Sequence, residues 1–143
     1  MTDAFDADVL IYAAQQGHPL GQRVRSLLVP AEQPTIEANT DGPVGSVLLL
    51  PELLSKPLRN GLNSELEELA GLIGRLQLHE VSRTVASLAT TLGAKYSLRA
   101  VDAVHLATAA TFADRFITNN TEDFVRSISE VDIVYPGDLP EPT

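Results

Sequence analysis

Apolar residues recur at helical spacing between Ala100 and Ala113, where Val101, Val104, Ala107 and either Leu106 or Ala110 share a face. That period predicts an amphipathic helix packed on a core. Read from the start, FDADVLIYAA predicts a short buried strand near Ala4 to Ala7, then a helix from about Asp8 to Gln16 that stops at Gly17. A second helix runs from Leu20 to about Val29, with Leu20, Val24, Leu27 and Leu28 inward and Arg23 and Arg25 on a solvated surface. Three prolines between Pro30 and Pro43 mark a long loop, with room for a short strand at 35–37. GSVLLLPELLSK supports two readings: a strand over Val47 to Leu50 followed by a helix opening at Pro51, or one helix capped by Ser46 and kinked at Pro51.

Ser64-Glu-Leu-Glu resembles a capping box opening a helix that extends to about Leu76. Gln77 to Val81 alternates as a strand does, and Ser82 or Arg83 to Lys95 is a helix with Val85, Leu88, Ala89 and Leu92 inward. Arg115 to Thr118 and Asp132 to Tyr135 are strands, separated by the polar turn Asn119 to Phe124. Short strands alternating with helices predict an α/β protein, a three-layer sandwich around a mainly parallel sheet. The expected domain spans residues 1–136, with a flexible tail at 137–143.

The 143 residues fit one domain with a core of its own. There is no cysteine, so disulfides and thiolate chemistry are excluded. The chain holds no apolar run of membrane-spanning length and begins acidic, so the expectation is a soluble cytoplasmic protein with no membrane contact. A formal net charge of −9 excludes the usual basic footprint of a nucleic-acid-binding module. Clustered carboxylates that hold divalent cations escape this exclusion, because the cations present positive charge locally.

Four acidic positions bear on that escape. Asp6 follows the first strand, at the sheet edge where open α/β sheets bind ligands; its alternative role is a turn or cap, which Asp8 fits better. Glu52 sits among Leu48, Leu49, Leu50, Leu53 and Leu54, either partnered by charge or on the wet stripe of its helix. Asp102 is near a helix start, where the helix dipole alone would favour it. The Asn120 to Asp123 turn follows another strand. If the sheet is parallel these positions converge, and an all-oxygen set selects Mg²⁺ or Mn²⁺. His105 lies one helical turn after Asp102, within reach of the site or simply hydrogen-bonded on its helix. Thr118 either supports a ligand carboxylate or fills the strand end, and Lys56 and Arg59 either meet phosphate or form a solvated face.

The chain resembles the PIN-domain ribonucleases, and especially the VapC-type toxins of toxin-antitoxin systems. The resemblance rests on DADVLIYAA at Asp6 to Ala14, SVLLLPELL at Ser46 to Leu54, VDAVHLATA at Val101 to Ala109 and FITNN at Phe116 to Asn120. It implies an α/β/α sandwich and metal-dependent endonucleolytic cleavage of RNA with Mg²⁺ or Mn²⁺ in an acidic pocket. Matched by motif, Asp6, Glu52 and Asp102 correspond to the family's acids. Asp6 and Asp102 would be direct metal ligands, and Glu52 would orient or deprotonate a metal-bound water. Many members carry an Asp where this chain has Asn120, a weaker ligand, and Asp123 is the nearby candidate to restore the charge. The resemblance also implies a homodimer and a cognate antitoxin protein covering the site. The alternative is a PIN-like binding or regulatory protein with weakened catalysis, and a third reading is a nuclease directed at DNA.

Overall fold

The computed structural model describes residues 1–28 and 42–142, so the strand expected at 35–37 lies outside the described residues. The elements in chain order are β1 (Asp3–Phe5), α1 (Ala7–Ala14), α2 (Pro19–Leu28), β2 (Val44–Ser46), α3 (Leu49–Arg59), α4 (Asn63–Ile73), β3 (Gln77–His79), α5 (Arg83–Tyr96), α6 (Ala100–Phe112), β4 (Arg115–Ile117) and β5 (Asp132–Val134). The five strands form one sheet in the order β3-β2-β1-β4-β5, and every neighbouring pair is parallel. Because β1 is central, the chain goes to one side of it for β2 and β3 and to the other for β4 and β5. That reversal opens a crevice beyond the carboxyl end of β1.

Strand alternation sorts the core into two layers. In β1 and β4, Phe5 and Ile117 pair across the ladder and face a cluster with Leu10, Val24, Leu49, Leu53 and Leu72, drawn from α1 to α4. Their neighbours Ala4 and Phe116 face the opposite cluster, with Val85 and Leu92 of α5 and Leu106 of α6. Phe124 meets Phe116 edge to face there, at 5.0 Å between ring centroids. The result is the expected α/β/α sandwich.

Several local expectations are corrected. β2 ends at Ser46, whose hydroxyl accepts the Leu48 N–H, and α3 starts at Leu49 with Pro51 in its first turn, where the missing N–H costs nothing. Ser64 lies inside α4 and caps nothing, because the helix already begins at Asn63. In α6, Val101 is exposed, and the buried set is Ala103, His105, Leu106, Ala107, Thr108 and Ala109. A helix whose middle, 105–109, is buried all round loses the clean stripe that periodicity detects. The segment expected as a tail from 137 onward is anchored at its start: Pro136–Asp138 forms a 3-10 turn, Leu139 is buried, and Arg23 donates to the carbonyls of Gly137 and Leu139. Arg23 is therefore a clamp, and Arg25 likewise donates to the Ala13 carbonyl.

Gly21 is where α2 crosses α1. A Cβ there would sit 2.0 Å from the Tyr12 carbonyl oxygen and 2.5 Å from its carbon, both rigid backbone. At Gly45 the nearest atoms are the side-chain methyl groups of Leu49 and Leu76, at 2.6 and 3.1 Å. We expect Gly21→Ala to cost about 3 kcal/mol, the upper end for overpacking, and Gly45→Ala clearly less, because leucine rotamers can yield. Urea melts of the two variants compare them directly, and equal losses would contradict this ranking.

Candidate active site

A single residue, Asp6, separates β1 from α1. Its extended backbone makes it the N-cap of α1, with Oδ1 accepting the Ala7 N–H at 2.8 Å. The capping role expected of Asp8 thus falls to Asp6, since the helix opens one residue earlier than periodicity placed it. Oδ2 accepts the Thr118 hydroxyl at 2.8 Å, and the same Thr118 oxygen accepts the Asn120 N–H at 3.1 Å. Thr118 is fully buried just past β4, so it ties the two central strand ends together.

Asp8 stands in the first turn of α1, and its carboxylate accepts the Asn119 N–H at 3.1 and 3.4 Å. Sequence reading gave it only a cap, although an acid two residues after a strand-end acid was the available signal. Glu52 comes from the first turn of α3. Its Oε1 lies 2.6 Å from His105 Nε2, with the histidine side chain fully buried and the glutamate one-third exposed. The charge partner demanded by those flanking leucines is therefore His105. Asp102 rises from the first turn of α6, and His105 follows three residues later on the same face.

Asp6, Asp8, Glu52, Asp102 and Asn120, with Ala7, Ile11 and Leu53, line one pocket of about 250 Å³. Asp123 does not line it. It accepts from the Asn120 side-chain amide at 3.0 Å, and its N–H donates to the Asn120 oxygen at 3.2 Å, so these two residues close their turn on each other. Lys56 and Arg59 also stand outside the pocket lining.

Crowding of acids shows in their ionisation. Burial raises the Asp6 carboxyl above its ordinary range and Asp102 adds to that, against His105, Thr118 and the Ala7 amide, which favour the anion. Asp8 is pushed up to about 7, first by burial and then by Asp6, against the Asn119 amide. Asp102 is raised by burial, Asp123 and Glu52, against His105 and Arg99. For His105, burial favours the neutral ring, but the Glu52 hydrogen bond and the charges of Asp6, Glu52 and Asp102 outweigh it and raise the imidazole. Its Nδ1 is the buried side-chain nitrogen left without a partner among the described residues. Such an orphan costs about 1–3 kcal/mol.

These donors fit a hard divalent cation chemically: four carboxylates and an amide oxygen, with mutual repulsion that a positive charge would relieve. Among the described residues no three acids or histidines are already drawn together as a cation cage. Two members of the set have partners of their own, Glu52 in His105 and Asn120 in Asp123.

Comparisons with known proteins agree with this architecture. The structure is similar to a toxin-antitoxin complex from Klebsiella pneumoniae at 22% identity and TM-score 0.70, over 94% of this chain and 97% of that one. It is similar to VapBC2 from Rickettsia felis bound to a DNA fragment from their promoter, at 17% identity and TM-score 0.71, over 94% and 98%. DNA-bound VapBC from Salmonella typhimurium gives 18% identity and TM-score 0.71, over 95% and 98%. No curated protein matches the sequence significantly. No helix among the described residues is long and apolar enough to cross a membrane. The PIN domain family model matches residues 4–128, nearly the whole chain, and the protein therefore belongs to the PIN domain family.

Proposed function

We propose that this protein is a VapC-type endoribonuclease that hydrolyses RNA phosphodiester bonds with Mg²⁺ or Mn²⁺ in the pocket beside Asp6. The observation that carries the reading is the meeting of Asp6, Asp8, Glu52 and Asp102 from three different helix starts in one pocket at the topological switch point. A bound divalent cation supplies Lewis acidity, acidifying a water and stabilising charge on the phosphodiester. Asp6 and Asp102 would hold it. Asp6 is preorganised for this by its bonds to Ala7 and Thr118. Glu52, one oxygen fixed by His105, would receive the proton of the attacking water or orient it. Asn120 offers an amide oxygen in place of a carboxylate, and Asp123, bonded to that amide outside the pocket lining, repels the Asp102 anion and raises its carboxyl.

A cognate antitoxin fits the same reading, since the structural neighbours are toxin-antitoxin complexes. A groove of about 530 Å³ between α1 and α4 shares Ile11 with the acidic pocket and carries Glu65, Glu68 and Leu69, which suits a basic and apolar partner segment. A homodimer is part of the proposal, through exposed apolar residues such as Leu50 and Leu58 of α3. The second reading, a PIN protein with weakened catalysis that acts by binding, is favoured by one observation: the Asn120 amide is engaged by Asp123.

Matched RNA and DNA oligonucleotides incubated with Mn²⁺ or with EDTA separate the readings. The proposal expects RNA cut only with the metal. Cleavage of DNA alone moves the protein to the third reading, and a folded protein that binds Mn²⁺ yet cuts neither moves it to the second.

A further inference from the structure

We propose that His105 is a positioning residue for the cation site, holding Glu52 in the rotamer that the site uses. The inference rests on the acidic pocket being a divalent-cation site, as argued above, and goes beyond it by giving a role to a residue that does not line the pocket.

Three observations carry it. Glu52 is a flexible side chain at the surface end of α3, one-third exposed, and its charged oxygens would otherwise sample solvent. His105 Nε2 lies 2.6 Å from Oε1, which leaves the second oxygen for the pocket that Glu52 lines. Secondly, the imidazole is locked. Its side chain is fully buried, in the continuously buried stretch 105–109 of α6, so the donor does not move with the glutamate. Thirdly, Nδ1 is buried without a partner. A histidine kept for packing alone would be better replaced by an apolar side chain of similar volume, whereas one kept to aim Nε2 tolerates an idle second nitrogen. His105 also stands one helical turn from Asp102, so a single face of α6 provides one acid of the site and the support of another from α3. Partners that orient ligands from behind typically matter 10- to 100-fold for metal affinity or activity.

The test uses Mn²⁺ as probe and the thermal shift of the full chain as readout. His105→Leu keeps bulk and removes the donor. We expect its half-maximal Mn²⁺ concentration to rise about tenfold, while its melting temperature without metal stays at or above that of the wild type. His105→Gln places an amide nitrogen near the Nε2 position and should recover most of the affinity. His105→Asn, whose amide stops at the Nδ1 position, should not. Combining His105→Leu with Glu52→Gln should add little to Glu52→Gln alone, because His105 acts through that carboxylate.

An Mn²⁺ midpoint for His105→Leu equal to the wild type overturns the proposal, as does an effect that adds fully to Glu52→Gln. If His105→Leu does not fold, equal affinities of the Gln and Asn variants overturn it instead. Asp6→Asn keeps the two readings apart. A wild type that takes up no Mn²⁺, or an Asp6→Asn variant that responds normally, removes the cation site itself. A responding wild type with a silent Asp6→Asn and an unaffected His105→Leu removes only the role of His105.

Discussion

Asp6→Asn and Asp102→Asn are each expected to lower Mn²⁺-dependent RNA cleavage by about 10²- to 10³-fold, corresponding to the several kcal/mol that a metal contributes to transition-state charge stabilisation. The accompanying effect on stability has the opposite sign. Ionised Asp6 is almost fully buried and its carboxyl is raised by that burial, so at neutral pH the folded state carries a penalty that the amide does not. In Asp6→Asn the introduced amide would keep the oxygen that accepts the Ala7 N–H. It would present N–H₂ to the Thr118 hydroxyl, whose own proton then loses its acceptor, so one hydrogen bond is compromised. The two effects offset each other, and the melting temperature without metal should hold or rise while cleavage disappears. An unfolded Asp6→Asn variant would mean that the carboxylate is structural. Retained cleavage in both variants would remove the nuclease reading. A double variant should be no worse than the poorer single one, as residues serving one cation fail together.

The fold was legible because its strands and helices switch period cleanly. FDADVLIYAA passes from a buried strand to a helix over one residue, and the all-parallel sheet follows from strands separated by helices. Boundaries were less legible. Ser64 looked like a cap because Glu67 follows it three residues later, but α4 opens at Asn63 with Leu62 at the cap position and no side-chain cap bond. Arg23 read as surface since its partners are backbone carbonyls more than a hundred residues away, which no local pattern encodes. The positions of Asp6, Glu52 and Asp102 were readable from their motifs, and the structure brings them to one pocket. Asp8 was missed because a first-turn acid has a sufficient local explanation. Its second explanation, a bond to Asn119 from the other side of β1, exists only in three dimensions. Likewise the partner of Glu52 is 53 residues away on α6.

Without divalent metal, stability should fall as the pH rises from about 5 to 8, and saturating Mn²⁺ should abolish the fall. Asp8 sets the sign. Its carboxyl titrates at about 7 in the folded chain against an ordinary value of 3.8, so between those values the folded state holds a proton that the unfolded state has released. The stability this provides is complete below 3.8 and is lost as pH rises through about 7. Asp6 and Asp102, also raised, act in the same direction, and so does His105, whose raised imidazole loses its proton late. His79, half-buried against Phe112 and lowered by burial, works against the trend, one group against the four raised ones. Glu130, held at about 2 by Lys95 and Tyr96, contributes only as the pH drops below the ordinary glutamate range, outside this window. At 1.36 kcal/mol per pH unit, and with Asp8 sharing its penalty with Asp6, the loss is on the order of 3 kcal/mol. For a domain of this size that is about 6–12 °C in melting temperature. Melts in EDTA at pH 5, 6, 7 and 8 measure it, and Asp8→Asn should flatten the slope. Added Mn²⁺ binds only the deprotonated native acids, so its stabilisation grows with pH and cancels the repulsion that caused the loss. A melting temperature that stays level or climbs from pH 5 to 8 in EDTA would mean that the acids beside Asp6 ionise as they do in water, and that the pocket is far more solvated than its geometry requires.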